Sequence, residues 1–187
     1  MGYADEYLKG TQLTEEGILR DLKILAGYYQ DLELEARVIP AKSDLALPVL
    51  LGILEPDEQG RPRIVNHGFL PLDTNTAEFN KYLQFYLELA CPVEGLDRVQ
   101  LLEAICRLNS SIPLGTCIVK EPDPALGQPR KVAVRYVQGF PLEEPIDQAV
   151  FIESLFLFDL SCDLASTILD GLAEGRSLDE AFAQIGR

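Results

Sequence analysis

The sequence predicts an α+β fold: an antiparallel sheet of about five strands, a three-strand meander plus a hairpin, packed by an N-terminal helix, a middle helical pair and a long C-terminal helix. Three observations predict it. Apolar residues recur at helical spacing near the start of the chain and over a long stretch near its end. Between them lie short apolar segments bounded by Pro, Gly, Asn and Asp. Several of these are joined by short turns, which suit antiparallel neighbours rather than parallel strands with crossover helices.

The first helix opens at Thr14, whose hydroxyl can cap it, with Glu15 and Glu16 at the positive end of the dipole and Ile18, Leu22, Leu25 and Tyr29 on one face. From Asp31 the period becomes two: Leu32, Leu34, Ala36 and Val38 alternate with Glu33, Glu35 and Arg37 until Pro40, which predicts a half-buried strand. Leu47 to Leu54 is apolar on both faces, and the turn Pro56-Asp-Glu-Gln-Gly60 leads into a third extended run from Arg63 to Leu70. Asp73-Thr-Asn-Thr then starts a helical segment with Phe79, Leu83, Tyr86 and Leu87 on one face, closed by Pro92. A second helix begins near Asp97 and groups Leu101, Leu102, Ile105 and Leu108.

Asn109 is placed to end that helix in the left-handed conformation, and Pro113 cannot continue it. Gly115 to Val119 and Lys131 to Val137, separated by a Pro- and Gly-containing loop, predict a hairpin. One long helix follows from about Asp147 to Glu174, stopped by Gly175, and Ser177-Leu-Asp-Glu180 is a capping box for a short terminal helix. No charged or Pro/Ser-rich linker divides the chain, so residues 1–187 are expected to form one domain.

Composition narrows the function. Thirty acids against sixteen Lys plus Arg give a formal charge of −14, which repels phosphate backbones and anionic membranes. The densest basic group, Lys120, Arg130, Lys131 and Arg135, is diluted by Glu121 and Asp123 and is expected to be solvated hairpin ends. Nucleic acid and membrane are therefore not expected as partners. Cys91, Cys106, Cys117 and Cys162 form no Cys-x-x-Cys pair and lie in apolar segments, so they are expected to be reduced core thiols. Met1-Gly-Tyr-Ala-Asp-Glu has neither a basic start nor an apolar run, and a cytoplasmic location is the expectation.

The long helix carries two apolar stripes. At about 100° per residue, Phe151, Leu155, Phe158, Cys162, Ala165, Leu169 and Leu172 share one sector, which should cover the sheet. Leu157, Leu160, Leu164 and Ile168 occupy another, with Asp159, Asp163 and Asp170 on the arc between. One sheet cannot bury both stripes, so the second calls for another cover: helices of this chain, a second copy, or a separate client. The aspartates are expected to be a solvated face, because a straight helix holds Asp170 about 10 Å from Asp163, too far for one cation.

Catalytic signatures are missing. His67 is the only histidine and has no Cys or second His beside it. There is no Gly-x-Ser-x-Gly, no phosphate-binding loop and no dinucleotide fingerprint. No enzyme, cofactor or metal is expected; the rival expectation is a small-ligand binder or hydrolase-type enzyme using acidic residues near His67, in a concave pocket that holds a carboxylate.

The element order, the helix Val99 to Leu108, the break Leu108-Asn-Ser-Ser-Ile-Pro-Leu-Gly115, the hairpin after it and the long closing helix together resemble the YbjN-like family, which shares the type III secretion chaperone-like fold. At residue level the likeness lies in Leu-Leu-x-x-Ile-x-x-Leu-Asn-x-x-Ile-Pro-Leu-Gly from Leu101. The resemblance implies a small, acidic bacterial protein, often dimeric, that acts by binding: secretion chaperones hold unfolded client segments, and YbjN-like members are described as regulators. It carries over no catalytic residue. The expectation is thus a protein-binding module, homodimeric, chaperone-like or a regulatory adaptor, with Leu157, Leu160, Leu164 and Ile168 as partner-binding residues.

Overall fold

The computed structural model describes residues 3–42 and 45–183, so what was expected of Met1 and Gly2 lies outside the described residues. The elements are α1 (Tyr3–Tyr7), α2 (Glu15–Asp31), β1 (Ala36–Ile39), β2 (Val49–Leu54), β3 (Arg63–Phe69), β4 (Asn80–Leu89), α3 (Arg98–Leu108), β5 (Thr116–Lys120), β6 (Lys131–Pro141), α4 (Gln148–Ala173) and α5 (Leu178–Phe182). The fold is α+β, with an open antiparallel sheet of six strands in the order β1-β2-β3-β4-β6-β5. Val38 stands opposite Leu50 in the first hairpin, and Cys117 opposite Val134 in the last.

The extra strand is β4, where the sequence predicts a helix. Lys81, Leu83, Phe85, Leu87 and Leu89 are buried and the residues between them are not, a strict period of two. Leu83, Tyr86 and Leu87 also satisfy helical spacing, and a lysine at an inward position hides the alternation. Asp73 caps a turn instead of a helix: its carboxylate accepts from the N–H groups of Asn75 and Thr76. Phe79, assigned to the buried face of that helix, is 74% exposed.

The chain divides into two compact units. The first comprises Met1–Leu54, Ile64–Phe85 and Val137–Ser154. In it Thr14 caps α2 by accepting from the Gly17 N–H, and Ile18, Leu22, Leu25 and Tyr29 are buried. The helix ends later than expected: Leu34 N donates to the Tyr29 carbonyl and Glu33 N to that of Gln30, with Glu33 at φ 59°. That cap occupies Leu32 to Leu34, which is why β1 begins only at Ala36. Tyr29 lies directly on Gly52, where any Cβ would come within 2.2 Å of its ring.

The second unit comprises Glu55–Arg63, Tyr86–Tyr136 and Leu155–Arg187. Asp97 caps α3 through the N–H groups of Val99 and Gln100, and Leu101, Ala104, Ile105 and Leu108 are buried. Asn109 is not left-handed but remains right-handed at φ −61°. Its carboxamide serves another purpose, accepting from Cys117 N at 2.7 Å and donating to Cys117 O at 3.2 Å. A side-chain amide thus satisfies a backbone residue on the edge strand β5. Gly175 at φ 88° stops α4, and the Ser177–Glu180 capping box starts α5. Cys91, Cys117 and Cys162 are buried free thiols; Cys106, expected in the core, is exposed. No helix among the described residues is long and apolar enough to cross a membrane.

Candidate functional site

Helix α4 carries the predicted features, and its first stripe is core. Phe151, Leu155, Phe158, Cys162, Ala165, Leu169 and Leu172 are each at most 3% exposed. Fully burying such a side chain contributes about 1.5–3 kcal/mol for the larger aliphatic and aromatic ones.

The aspartates between the stripes are not a solvated face, because two arginines engage them. Arg63 occupies an inward position of β3 and is 6% exposed. Its Nη1 lies 2.5 Å from Asp163 Oδ1 and 2.8 Å from Asp159 Oδ1, the second contact being ionic without an aligned hydrogen bond. Arg61 grips both oxygens of Asp170 at 2.9 and 2.6 Å and also donates to Asp57 at 2.7 Å. Burial raises the pKa of Asp159, and Asp163 adds to the rise while Arg63 opposes it. Burial likewise raises that of Asp163, with Glu58 and Asp57 adding to it. One guanidinium faces two carboxylates, so this part of α4 keeps an excess of negative charge.

The second stripe is graded in exposure. With Phe156 as origin and about 100° per residue, Leu160 lies about 40° away, Leu164 about 80°, Leu157 about 100° and Ile168 about 120°. Phe156 is 55% and Leu160 47% exposed, Leu164 and Leu157 are half-buried, and Ile168 is fully buried. Ile168 is therefore core rather than a contact residue. Phe156, which sequence analysis missed, is the most exposed member. Four apolar side chains, Phe156, Leu157, Leu160 and Leu164, run about 12 Å along the helix. On the Phe156 side they are flanked by the aspartate row, where Asp163 keeps 44% of its side chain exposed.

The other candidates resolve differently. Lys120 and Lys131 both donate to Glu88, and Arg130 pairs with Glu121, so the basic hairpin group is ion-paired rather than simply solvated. Burial alone would raise Glu88, but the two ammonium groups outweigh it and hold the carboxyl down to about 2. His67 is fully buried, with Nε2 2.7 Å from the Tyr29 hydroxyl and the rings of Phe85 and Phe151 centred 4.6 and 5.5 Å away. Desolvation lowers its pKa to about 3, so the ring is neutral. No carboxylate pairs with His67 among the described residues, and its Nδ1 has no hydrogen-bond partner there. The ring on which the rival expectation rests is therefore sealed in the core of the first unit. Among the described residues no three His, Cys, Asp or Glu side chains gather as metal ligands.

Compared with family models, curated proteins and solved structures, the chain matches none of them.

Proposed function

We propose that the protein is a non-enzymatic binding module that seats an apolar, basic-flanked segment of a partner protein on the second stripe of α4. The observation that carries this function is the row Phe156, Leu157, Leu160 and Leu164, open on a helix whose opposite stripe is fully buried. Grouped apolar side chains of this size at a surface mark interfaces, whereas scattered ones do not. The row is spaced i, i+1, i+4 and i+8 from Phe156, which keeps its side chains on one face of the helix, where an apolar segment can lie along them.

Charge selects the partner. The row borders an aspartate arc that Arg63 neutralises only in part, on a chain of formal charge −14. A second copy would bring the same charge, so a homodimer through this face works against repulsion that a basic partner turns into attraction. The resemblance to the YbjN-like family and to secretion chaperones points the same way, toward a chaperone-like or adaptor role.

A photo-crosslinking residue at position 160, with one at the exposed Glu103 as control, tests the proposal in cells that make the protein. The expected product is a heterologous adduct formed only from position 160, mapping to a segment rich in Lys or Arg, and lost when Phe156→Glu accompanies the probe. Adducts only with a second copy, or equal adducts from both positions, overturn it.

A further inference from the structure

Strand β4 breaks its own pattern at Lys81. Its inward positions in the first unit are Lys81, Leu83 and Phe85, and the lysine is as buried as its apolar neighbours, at 2% exposure. Its Nζ donates to Asp21 Oδ2 at 2.7 Å and to the Glu144 carbonyl at 2.7 Å, two of the three donors an ammonium carries. Asp21, 3% exposed, also receives Arg20 Nε at 3.3 Å, and Arg20 itself is 65% exposed in its side chain. A buried ion pair stabilises a fold little or not at all beside an apolar pair of equal volume. Such a local inconsistency in a strand is where a functional site is expected.

The pair lies on a cavity of about 230 Å³ within the first unit. Ile18, Phe69 and Leu142 give it apolar walls, while Arg20 and the exposed Glu143 stand beside the Lys81–Asp21 pair. Two cations and two carboxylates therefore line one small space, together with the polar side chains of Gln12 and Thr14 and the apolar walls. The volume falls below the roughly 300–1,000 Å³ of drug-sized pockets and suits a small ligand.

We infer that this cavity binds an apolar α-amino acid. The ligand carboxylate meets Arg20 and the remaining Lys81 donor, its ammonium meets Glu143 and Asp21, and its side chain lies against Ile18, Phe69 and Leu142. A zwitterion leaves the charge balance of the site unchanged, whereas a simple acid or amine adds a charge that the site does not compensate. This site belongs to the first unit and is independent of the stripe on α4.

Isothermal titration of the full chain with leucine, valine and phenylalanine tests it, with isocaproate and isopentylamine as probes lacking the ammonium or the carboxylate. At least one amino acid is expected to bind with one-to-one stoichiometry, and each truncated probe at least tenfold more weakly than leucine. Arg20→Gln, at a side chain 65% exposed and with folding checked by circular dichroism, is expected to weaken amino-acid binding at least tenfold. Lys81→Met/Asp21→Leu, checked for folding by circular dichroism, is expected to abolish it; if that variant unfolds, Arg20→Gln decides. No binding of the three amino acids at millimolar concentration, unchanged binding by Arg20→Gln, or isocaproate binding as tightly as leucine overturns the inference.

Discussion

Gly52→Ala is the substitution whose cost follows most directly from the packing. A Cβ at position 52 would lie 2.2 Å from Tyr29 Cζ, 2.3 Å from its hydroxyl oxygen and 2.5 Å from Cε1, and none of these atoms can yield without moving the ring. Displacing the ring overpacks the core of the first unit, at a cost of about 1–3 kcal/mol. It also breaks the 2.7 Å bond from Tyr29 to His67 and leaves a buried imidazole with neither nitrogen paired, a further cost of about 1–3 kcal/mol. Alanine's advantage over glycine within a strand returns only about 0.5–1 kcal/mol. The net expectation is a loss of about 3 kcal/mol, read from urea denaturation followed by tyrosine fluorescence and far-ultraviolet circular dichroism. Tyr29→Leu in the same chain removes the clashing ring, so the double variant should lose less than the sum of the two single changes. A Gly52→Ala protein within 0.5 kcal/mol of the parent would refute this packing.

His67 makes stability depend on acid. Its folded pKa, near 3, lies below the ordinary 6.5, so the unfolded chain takes up the proton first; stability is complete above about pH 6.5 and falls by up to about 1.4 kcal/mol per pH unit toward pH 3. His67→Phe should flatten that slope, and because Asp159 and Asp163, whose raised pKa values act in the opposite sense, are common to both proteins, the difference isolates the histidine. Unchanged slopes would contradict the sealed, neutral ring. Thiol chemistry gives a second check: burial pushes Cys91 up to about 11 and Cys117 up to about 12, and Cys162 is raised as well, while Cys106 is exposed. A disulfide reagent at pH 8 should titrate one thiol quickly in the native protein and all four after denaturation; two fast native thiols would contradict the burial.

Elements with consistent local signals were legible in the sequence. Thr14, Asp97 and Ser177 cap the helices at the positions their side chains and following residues suggest, and the first stripe of α4 from Phe151 to Leu172 is core throughout. Strand β4 was not legible, because Lys81 occupies an inward position that only a partner on another element, Asp21, makes tolerable. The aspartate row misled for the same reason: Arg61 and Arg63 lie about a hundred residues away in sequence, and nothing in a helical projection reveals them. Periodicity located the second stripe but not its orientation. Phe156 at one edge is open and Ile168 at the other is sealed, a distinction set by neighbours rather than by the helix itself.

The most direct test of the open stripe is the unfolding free energy of Phe156→Glu/Leu160→Glu beside the parent, measured at two or more protein concentrations. A free docking face predicts that the variant stays within about 1 kcal/mol of the parent, and that neither value depends on concentration. A loss of several kcal/mol independent of concentration would make the stripe core. A parent whose stability rises with concentration while that of the variant does not would make it a seam between two copies, and either result would contradict a face reserved for a basic partner.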